Sequence, residues 1–252
     1  MPDVPASVLE PLRALLCDAD GNLFPSEEPA FVASAEVTNR FLAELGSDQQ
    51  FTAEELRLAT TGMNFRSTAA RFAAELGRED VDIEPWVQEE KRAVTAHLGR
   101  TLRPHDETTT ALTSFAEHLT LAAVSSSALG RLAACFTATG LDDLIAPERR
   151  FSAEDSLPTP TSKPDPAVYL FACQRLGIAP HEGLAVEDSI PGALSAVRAG
   201  CPTVGNLLFV QDPERESRAA ALRDAGVLAV VSSWAELADL VLPVLELTGA
   251  RP

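Results

Sequence analysis

The sequence predicts an α/β protein: a doubly wound, Rossmann-like parallel sheet with an inserted α-helical bundle that forms a cap. The apolar run 12–17 has the length of a buried parallel strand and ends abruptly in acidic residues. From about residue 102, apolar runs alternate with helical patterns, which is typical of βαβ units. The region between them, from about residue 29 to 99, has helical patterns throughout. We therefore expect a core of residues 1–24 and 103–252 and a cap of residues 25–102.

Composition limits the classes of function. The chain has 252 residues, of which 46% are hydrophobic, enough to build a sizeable core. Its net charge of −17 and pI near 4.6 argue against a nucleic-acid surface, which needs clustered Lys and Arg. No apolar run approaches the roughly 18 residues of a membrane span, and the acidic, proline-rich start does not resemble a signal peptide. We expect a cytoplasmic protein whose four cysteines are buried and reduced; the pattern leaves its oligomeric state open.

The insert is predicted to be a bundle of short helices, each with its own end signals. The first runs from about residue 29 to Gly46. Thr52 and Glu55 have the spacing of a capping box, so a second helix starts there, and Gly62 ends it. A third covers 64–76, and a fourth covers 84–98 and stops at Gly99. Helices with no strand between them favour a bundle that packs on its own apolar faces.

The remaining chain is predicted to complete the sheet that the first strand begins. Its apolar runs and glycine-terminated helical patterns alternate in a regular order. The predicted strands are 119–124, 150–152, 184–186, 202–204 and 227–231, and the predicted helices are 106–118, 128–140, 166–177, 191–200, 213–226 and 234–249.

Polar clusters follow several of these strands. They are Asp18 with Asp20, Ser125 with Ser126 and Ser127, Lys163, and Glu187 with Asp188. A parallel sheet brings the carboxyl ends of its strands to one edge, so clusters that are distant in sequence can converge there. Carboxylates suit a divalent cation, whereas a hydroxyl and an ammonium group suit an anion. The pattern therefore predicts a site for a metal and an anionic ligand.

Each cluster also has a simpler structural interpretation. Asp18 or Asp20 could form a turn beside Gly21. Ser126 or Ser127 could cap the following helix, and Asp165 could cap the helix that begins at the next proline. Lys163 could be a solvated loop residue, and Glu187 and Asp188 could cap helix 191–200. The four histidines have no metal-binding spacing and are expected to be structural or solvated: His97, His105, His118 and His181.

Taken in order, these clusters match four motifs of a known family. They are Asp18-Ala19-Asp20-Gly21-Asn22-Leu23, Val124-Ser125-Ser126, Lys163-Pro164-Asp165-Pro166 and Glu187-Asp188-Ser189-Ile190-Pro191-Gly192. The chain thereby resembles the haloacid dehalogenase-like superfamily over nearly its whole length, in particular its β-phosphoglucomutase and phosphoglycolate-phosphatase branch.

The resemblance implies a role for each motif residue. Asp18 would be the nucleophile and would form an aspartyl-phosphate, while Asp20 would be the general acid and base. Mg²⁺ would be held by Asp18, Asp188 and the backbone carbonyl of Asp20, with Glu187 nearby. Lys163 would neutralise Asp18 and the phosphate. Ser125 would donate to a phosphoryl oxygen. Ser126, Ser127 and the N-terminus of helix 128–140 would also bind the substrate.

Within that family, the residues favour a phosphatase acting on a small phosphorylated metabolite. Asp20 argues against dehalogenases and ATPases, and the cap offers Arg66 where a phosphonatase needs a Schiff-base lysine. Arg66 is also the candidate cap residue for binding a carboxylate or second phosphate of the substrate. Sugar-phosphate mutases of this branch carry a His and a Lys near the positions of Ala30 and Ala128. A mutase and a catalytically silent phosphate-binding module remain the alternatives.

Overall fold

The computed structural model describes residues 4–60 and 63–249. The chain divides into two compact units, one of residues 1–24 with 103–252 and one of residues 25–102. Its α-helices are α1 (Ala6–Leu9), α2 (Glu27–Glu44), α3 (Ala53–Ala59), α4 (Phe65–Glu75), α5 (Glu84–Thr101), α6 (Asp106–Ala116), α7 (Leu129–Thr139), α8 (Ala167–Leu176), α9 (Ile190–Ala199), α10 (Asp212–Asp224) and α11 (Trp234–Thr248). Short 3₁₀ turns cover Leu141–Asp143, Pro147–Arg149 and Pro180–Glu182.

The first unit is built on a parallel sheet. Its strands are β1 (Ala14–Cys17), β2 (Thr120–Ser125), β3 (Arg150–Ser152), β4 (Gly183–Glu187), β5 (Thr203–Asn206) and β6 (Ala229–Val231). They lie in the order β3-β2-β1-β4-β5-β6, and each neighbouring pair is parallel. The predicted α/β class is confirmed. Because β1 pairs with β2 on one side and β4 on the other, the loops after all three open at one edge.

The sheet is buried on both faces. Along β1, Ala14 and Leu16 join a cluster with residues of α8 and α9, among them Val168 and Ala196. The side chain of Leu15 points to the opposite face, because successive residues of a strand alternate, and it is also fully buried. Continuous burial explains why β1 is apolar throughout rather than alternating, as expected for a parallel strand between helices.

The second unit is a helical bundle. The long helix α2 contacts α3, α4 and α5, and these helices enclose a small apolar core that includes Phe41, Leu56 and Phe72. The predicted capping box of α3 is confirmed: Thr52 accepts from the backbone N–H of Glu55, and the Glu55 carboxylate accepts from the backbone N–H of Thr52. The predicted helical insert is therefore confirmed.

Some predicted helix ends are wrong. Helix α5 continues through Gly99 to Thr101, since a single glycine lowers helix stability without ending the helix. Neither Ser126 nor Ser127 caps α7. Instead, the Asp155 carboxylate accepts from the backbone N–H of Leu129 at 2.6 Å. The predicted stop at Gly62 lies outside the described residues, and the short helix α1 is not predicted by the sequence pattern.

Two further expectations concern burial and membranes. All four cysteines are free and buried, which confirms that prediction: Cys17, Cys135, Cys173 and Cys201. Among the described helices, none combines the length and the apolar character needed to cross a bilayer.

Candidate active site

The loop after β1 is held in place by a buried asparagine. The Asn22 side-chain amide donates to the backbone oxygens of Asp18 and Val186, at 2.9 and 3.1 Å. Its own carbonyl oxygen accepts from Asn206 at 3.0 Å, and its backbone oxygen accepts from the indole N–H of Trp234 at 3.0 Å. Asn22 and Trp234 are fully buried. Asn22 thus ties the loop to β4 and β5 and fixes the backbone that presents Asp18.

Gly21 allows this loop to turn against the acidic residues of another loop. Its φ of +78° lies in the left-handed region, which side chains with a Cβ rarely adopt. A Cβ at this position would also lie 2.5 Å from Oδ2 of Asp188. The glycine is therefore required both by the turn and by the close approach of the Asp188 carboxylate.

Lys163 lies between the carboxylates of two strand ends. Its Nζ donates to Oδ1 of Asp18, to Oε1 of Glu187 at 2.6 Å and to the backbone oxygen of Val124 at 2.8 Å. Only 5% of the lysine side chain is exposed. Burial opposes its charged form, but the charges of Asp18 and Glu187 outweigh burial and raise the pKa of Lys163 above its usual value. The ammonium group therefore stays charged and neutralises part of the acid cluster.

The acid cluster consists of Asp18, Glu187 and Asp188. Each of these buried residues offers a carboxylate oxygen, and the three oxygens lie within 4.8 Å of one another. Burial, countered in part by Lys163, raises the pKa of Asp18 above its usual value. Burial and the charge of Glu187 raise the pKa of Asp188 to about 7. Such crowding of negative charge indicates a place for a cation.

Two oxygens of the cluster support this interpretation. Oε2 of Glu187 and Oδ1 of Asp188 are buried and have no hydrogen-bond partner among the described residues. Buried carboxylate oxygens are normally satisfied, because leaving them without a partner is costly in free energy. Hard oxygen ligands in this number and charge fit a divalent cation such as Mg²⁺. The donor set therefore fits the metal that the motifs imply.

The Glu187 carboxylate is held from two further sides. Tyr169 lies on α8, and its hydroxyl donates to Oε1 of Glu187 at 2.5 Å. On the other side a Cβ at Gly192 would lie 1.8 Å from Oε2, so α9 can begin here only because residue 192 has no side chain. Glu187 is fully buried between these contacts. Its orientation is therefore set by the hydrogen bonds from Lys163 and Tyr169 to Oε1, and α9 packs closely against the other oxygen.

The three serines after β2 have different partners. Ser125 accepts from the backbone N–H of Ser127 at 3.0 Å. Ser126 accepts from the backbone N–H of Lys163 at 3.1 Å, which links the second and third motifs. The Ser127 hydroxyl donates to Oδ2 of Asp20 at 2.7 Å. The serines thus connect the loops that carry the candidate site residues.

Asp20 is held at both carboxylate oxygens by the chain after β2. While Ser127 donates to Oδ2, the Arg131 guanidinium donates to Oδ1 at 2.8 Å. The side chains of Asp20 and Arg131 are about one quarter exposed, at 25% and 26%. Asp20 therefore lies at the edge of the buried cluster, where it can be reached from outside.

Arg66 lies in the other unit, on α4. Its guanidinium forms an ion pair with Glu84 at 2.6 Å, and 53% of its side chain is exposed. A contact between Arg66 and a substrate stays a prediction.

The sequence matches a known protein family over most of its length. The sequence model of the haloacid dehalogenase-like hydrolases matches residues 12–200, which include all four motifs. The chain is a haloacid dehalogenase-like hydrolase. The family resemblance that the motifs predict is confirmed. Phosphoglycolate phosphatase of Thiobacillus denitrificans is 28% identical to this hydrolase over 239 residues, 92% of this chain and 96% of that protein.

Two solved structures resemble this hydrolase over most of its length. A family hydrolase of Deinococcus radiodurans, with bound phosphate and sodium, is 29% identical with a TM-score of 0.67, covering 92% of this chain and 98% of that one. A β-phosphoglucomutase-type protein of Thermotoga maritima has a TM-score of 0.68 at 22% identity, covering 93% and 99%. The second similarity shows the fold alone.

Two residues of the hydrolase site are missed by sequence reasoning. Tyr169 is the single tyrosine of the chain and follows Lys163 by six residues, but its pattern is that of an ordinary buried helix position. Arg131 lies in the first turn of α7, where a cation opposes the helix dipole, and that mismatch is a signal that could have found it. Both act through side-chain directions that hydrophobic periodicity does not reveal.

Replacing Gly192 by alanine is expected to disturb the hydrolase site directly. The new Cβ would overlap Oε2 of Glu187, so the carboxylate or α9 must move, with a loss of about 1–3 kcal/mol in unfolding free energy. Calorimetric titration with Mg²⁺ should also show weaker binding, since Glu187 is displaced. Gly130→Ala is the matched control: Gly130 is also in the first turn of a core helix, but a Cβ there meets nothing within 4 Å. Equal stability and Mg²⁺ affinity of the two variants would contradict the prediction.

Proposed function

We propose that this hydrolase is a Mg²⁺-dependent phosphatase that cleaves a small phosphomonoester through an aspartyl-phosphate on Asp18. The observation that carries the proposal is the environment of Asp18. Asp18 is buried, with only 7% of the residue exposed. Its carboxylate accepts a hydrogen bond from Lys163 and lies close to the carboxylates of Glu187 and Asp188. A carboxylate can attack an anionic phosphoryl group only where cations mask their repulsion, and Asp18 has one cation beside it, Lys163, and the ligands for another.

In the first half of the proposed reaction, a carboxylate oxygen of Asp18 bonds to phosphorus. The ester bond between phosphorus and the substrate oxygen breaks, and the leaving alcohol takes a proton from Asp20. Lys163 is already bonded to Asp18 and keeps its positive charge beside the reacting oxygen. Ser125 and the N-terminal end of α7 would donate hydrogen bonds to phosphoryl oxygens.

In the second half, water attacks the phosphorus of the aspartyl-phosphate and gives its proton to Asp20. The bond between phosphorus and Asp18 breaks, and inorganic phosphate leaves. The carboxylates of Asp18 and Asp188 and the backbone carbonyl of Asp20 would hold Mg²⁺, with Glu187 directly or through water. The ion would supply positive charge to the phosphoryl oxygens throughout. The chain's own residues thus supply the nucleophile, the proton carrier and one fixed cation.

The substrate class rests on relatives. The Thiobacillus denitrificans relative is a phosphoglycolate phosphatase, and the Deinococcus radiodurans structure holds phosphate. Both support a small phosphorylated metabolite as the substrate, with Arg66 as a candidate contact for a second anionic group. The expected cytoplasmic location stays a prediction from the sequence.

A β-phosphoglucomutase-like mutase and a silent phosphate-binding module remain the alternatives. Position 128 is alanine and serves as the residue before α7, so it supplies no cation for returning a phosphoryl group. The intact set of Asp18, Asp20, Lys163 and Asp188 argues against loss of catalysis.

A panel of phosphorylated metabolites tests the proposal. The purified protein is incubated with 2-phosphoglycolate, hexose phosphates, triose phosphates and 4-nitrophenyl phosphate, with Mg²⁺ or with EDTA. We expect release of inorganic phosphate from at least one compound, with Mg²⁺ only. Conversion of one sugar phosphate to an isomer, dependent on a bisphosphate primer, would instead establish the mutase. If neither turnover nor a fluoroberyllate complex forms with Mg²⁺, the protein is not an enzyme of this type.

A further inference from the structure

A second cationic side chain, Arg131, lies in the site, and none of the four motifs contains it. Arg131 donates to Oδ1 of Asp20 at 2.8 Å, and this ion pair joins the helix after β2 to the loop after β1. Both residues belong to the same unit, so the contact is internal to the core. The contact places an arginine on the carboxyl group that the proposed mechanism uses to carry protons.

Arg131 does not contribute to its own helix in the usual way. It is the third residue of α7, where the positive end of the helix dipole disfavours a cation by about 0.3–1 kcal/mol. One turn further on, the Cys135 thiol lies near the same pair. Burial and the charge of Asp20 raise its pKa to about 12, so it adds no charge of its own. The position of this arginine is therefore better explained by Asp20 than by helix stability.

Arg131 and Ser127, which donate to the two oxygens of Asp20, differ in whether they allow the bonded oxygen to carry a proton. A guanidinium only donates, so Oδ1 of Asp20 must act as an acceptor for as long as Arg131 holds it. The Ser127 hydroxyl can donate or accept, so Oδ2 can be bonded to it with or without a proton. The two oxygens of one carboxyl group are thereby made unequal by their partners.

We propose that Arg131 is a positioning residue that holds Oδ1 of Asp20 and so makes Oδ2 the oxygen that exchanges a proton with the leaving group and with water. This inference rests on the proposed function, since it deepens the role of Asp20. The backbone of this loop is fixed independently by the bond from the Gly21 N–H to the Phe24 oxygen at 3.0 Å. Arg131 therefore controls the rotation of the carboxyl group and leaves the path of the chain unchanged.

The test compares two aryl phosphates that differ in their need for a proton. The 4-nitrophenolate group leaves readily without one, whereas the phenolate of phenyl phosphate needs general acid assistance. The quantity measured is kcat/KM with Mg²⁺, because it reports the steps up to the first irreversible one, the transfer to Asp18. General acid catalysis contributes about 10²–10⁴-fold, so Asp20→Asn should lower kcat/KM far more for phenyl phosphate than for 4-nitrophenyl phosphate.

Like Asp20→Asn, Arg131→Gln is expected to lower kcat/KM more for phenyl phosphate than for 4-nitrophenyl phosphate, changing the ratio of the two values by about tenfold. Arg131→Lys keeps a cation and should restore part of the ratio. The matched control is Arg13→Gln, which removes an exposed arginine of the same unit whose 3.9 Å ion pair with Glu182 lies at the amino end of β1. Its ratio should equal that of the unchanged protein.

Several results would overturn the inference. If Arg131→Gln lowered kcat/KM equally for both substrates, Arg131 would have only a structural role. If it raised kcat/KM, the ion pair would hold Asp20 in an orientation that cannot transfer the proton. If Asp20→Asn changed the ratio of the two kcat/KM values but Arg131→Gln did not, Arg131 would have no role in positioning Asp20. The proposed function would remain intact. If the unchanged protein releases phosphate from neither aryl compound and from no compound of the metabolite panel, the proposed function fails and the inference with it.

Discussion

Asp18→Asn is expected to abolish phosphatase turnover, with kcat falling on the order of 10⁶-fold, as for the loss of other enzymatic nucleophiles. The amide has nearly the same volume and removes one of three crowded negative charges, so the fold should be retained. The measurement is steady-state hydrolysis of 4-nitrophenyl phosphate with Mg²⁺. Intact-mass spectrometry of quenched samples should show a phosphorylated species for the unchanged protein and none for the variant.

The control for this variant is Asp224→Asn, at an exposed aspartate near the end of α10. It makes the same chemical change in the same unit, away from the acid cluster, and should leave kcat unchanged. If Asp18→Asn retained a tenth or more of the activity, Asp18 would not be the nucleophile. The proposal of an aspartyl-phosphate at this residue would then be wrong.

Lys163→Met is expected to combine a large loss of activity with a loss of stability. The Lys163 Nζ bonds to Asp18, Glu187 and the Val124 carbonyl, and methionine leaves these buried acceptors without the cation. Breaking a buried ion pair in this way costs about 3–5 kcal/mol. Urea unfolding of the metal-free protein should show this decrease, and added Mg²⁺ should recover part of it, because a bound divalent cation supplies positive charge to the same carboxylates.

The chain supplies its own control, since Lys91 is its only other lysine. Lys91 is exposed on α5, so Lys91→Met should change unfolding free energy by less than about 0.5 kcal/mol. It should also leave kcat for 4-nitrophenyl phosphate unchanged. Equal effects of the two substitutions would show that burial between carboxylates gives Lys163 no special importance.

Much of the fold is predictable because the central strands of the sheet, β1, β2 and β4, are short, largely apolar and followed by polar residues. The strand at Arg150–Ser152 has its predicted bounds, and the predicted convergence of Asp18, Lys163, Glu187 and Asp188 is found. For the three acids this convergence follows from the parallel strands, since the carboxyl ends of β1 and β4 share one edge, whereas Lys163 comes from the loop between β3 and α8. The catalytic and binding roles of these residues stay predictions until the variants are measured.

What the sequence does not reveal depends on contacts between distant segments. The cap of α7 comes from Asp155, 26 residues after Leu129, so a local search for serine caps selects the wrong residue. Tyr169 and Arg131 reach the site from helices, and the direction of one side chain on a helix cannot be derived from periodicity. Local patterns therefore give the positions of the elements, while the partners of each charged group require the folded chain.

The place of β1 in the middle of the sheet determines when the site can form during synthesis. Its neighbours β2 and β4 begin at Thr120 and Gly183, so β1 is complete about 100 residues before its first partner emerges. At about 5–20 residues per second, translation leaves this apolar strand unpaired for several seconds. The helical insert occupies most of that interval and has its own apolar core. A chain that is released before β4 has been made therefore carries Asp18 but lacks Glu187 and Asp188, and we expect it to be inactive however well its insert has folded.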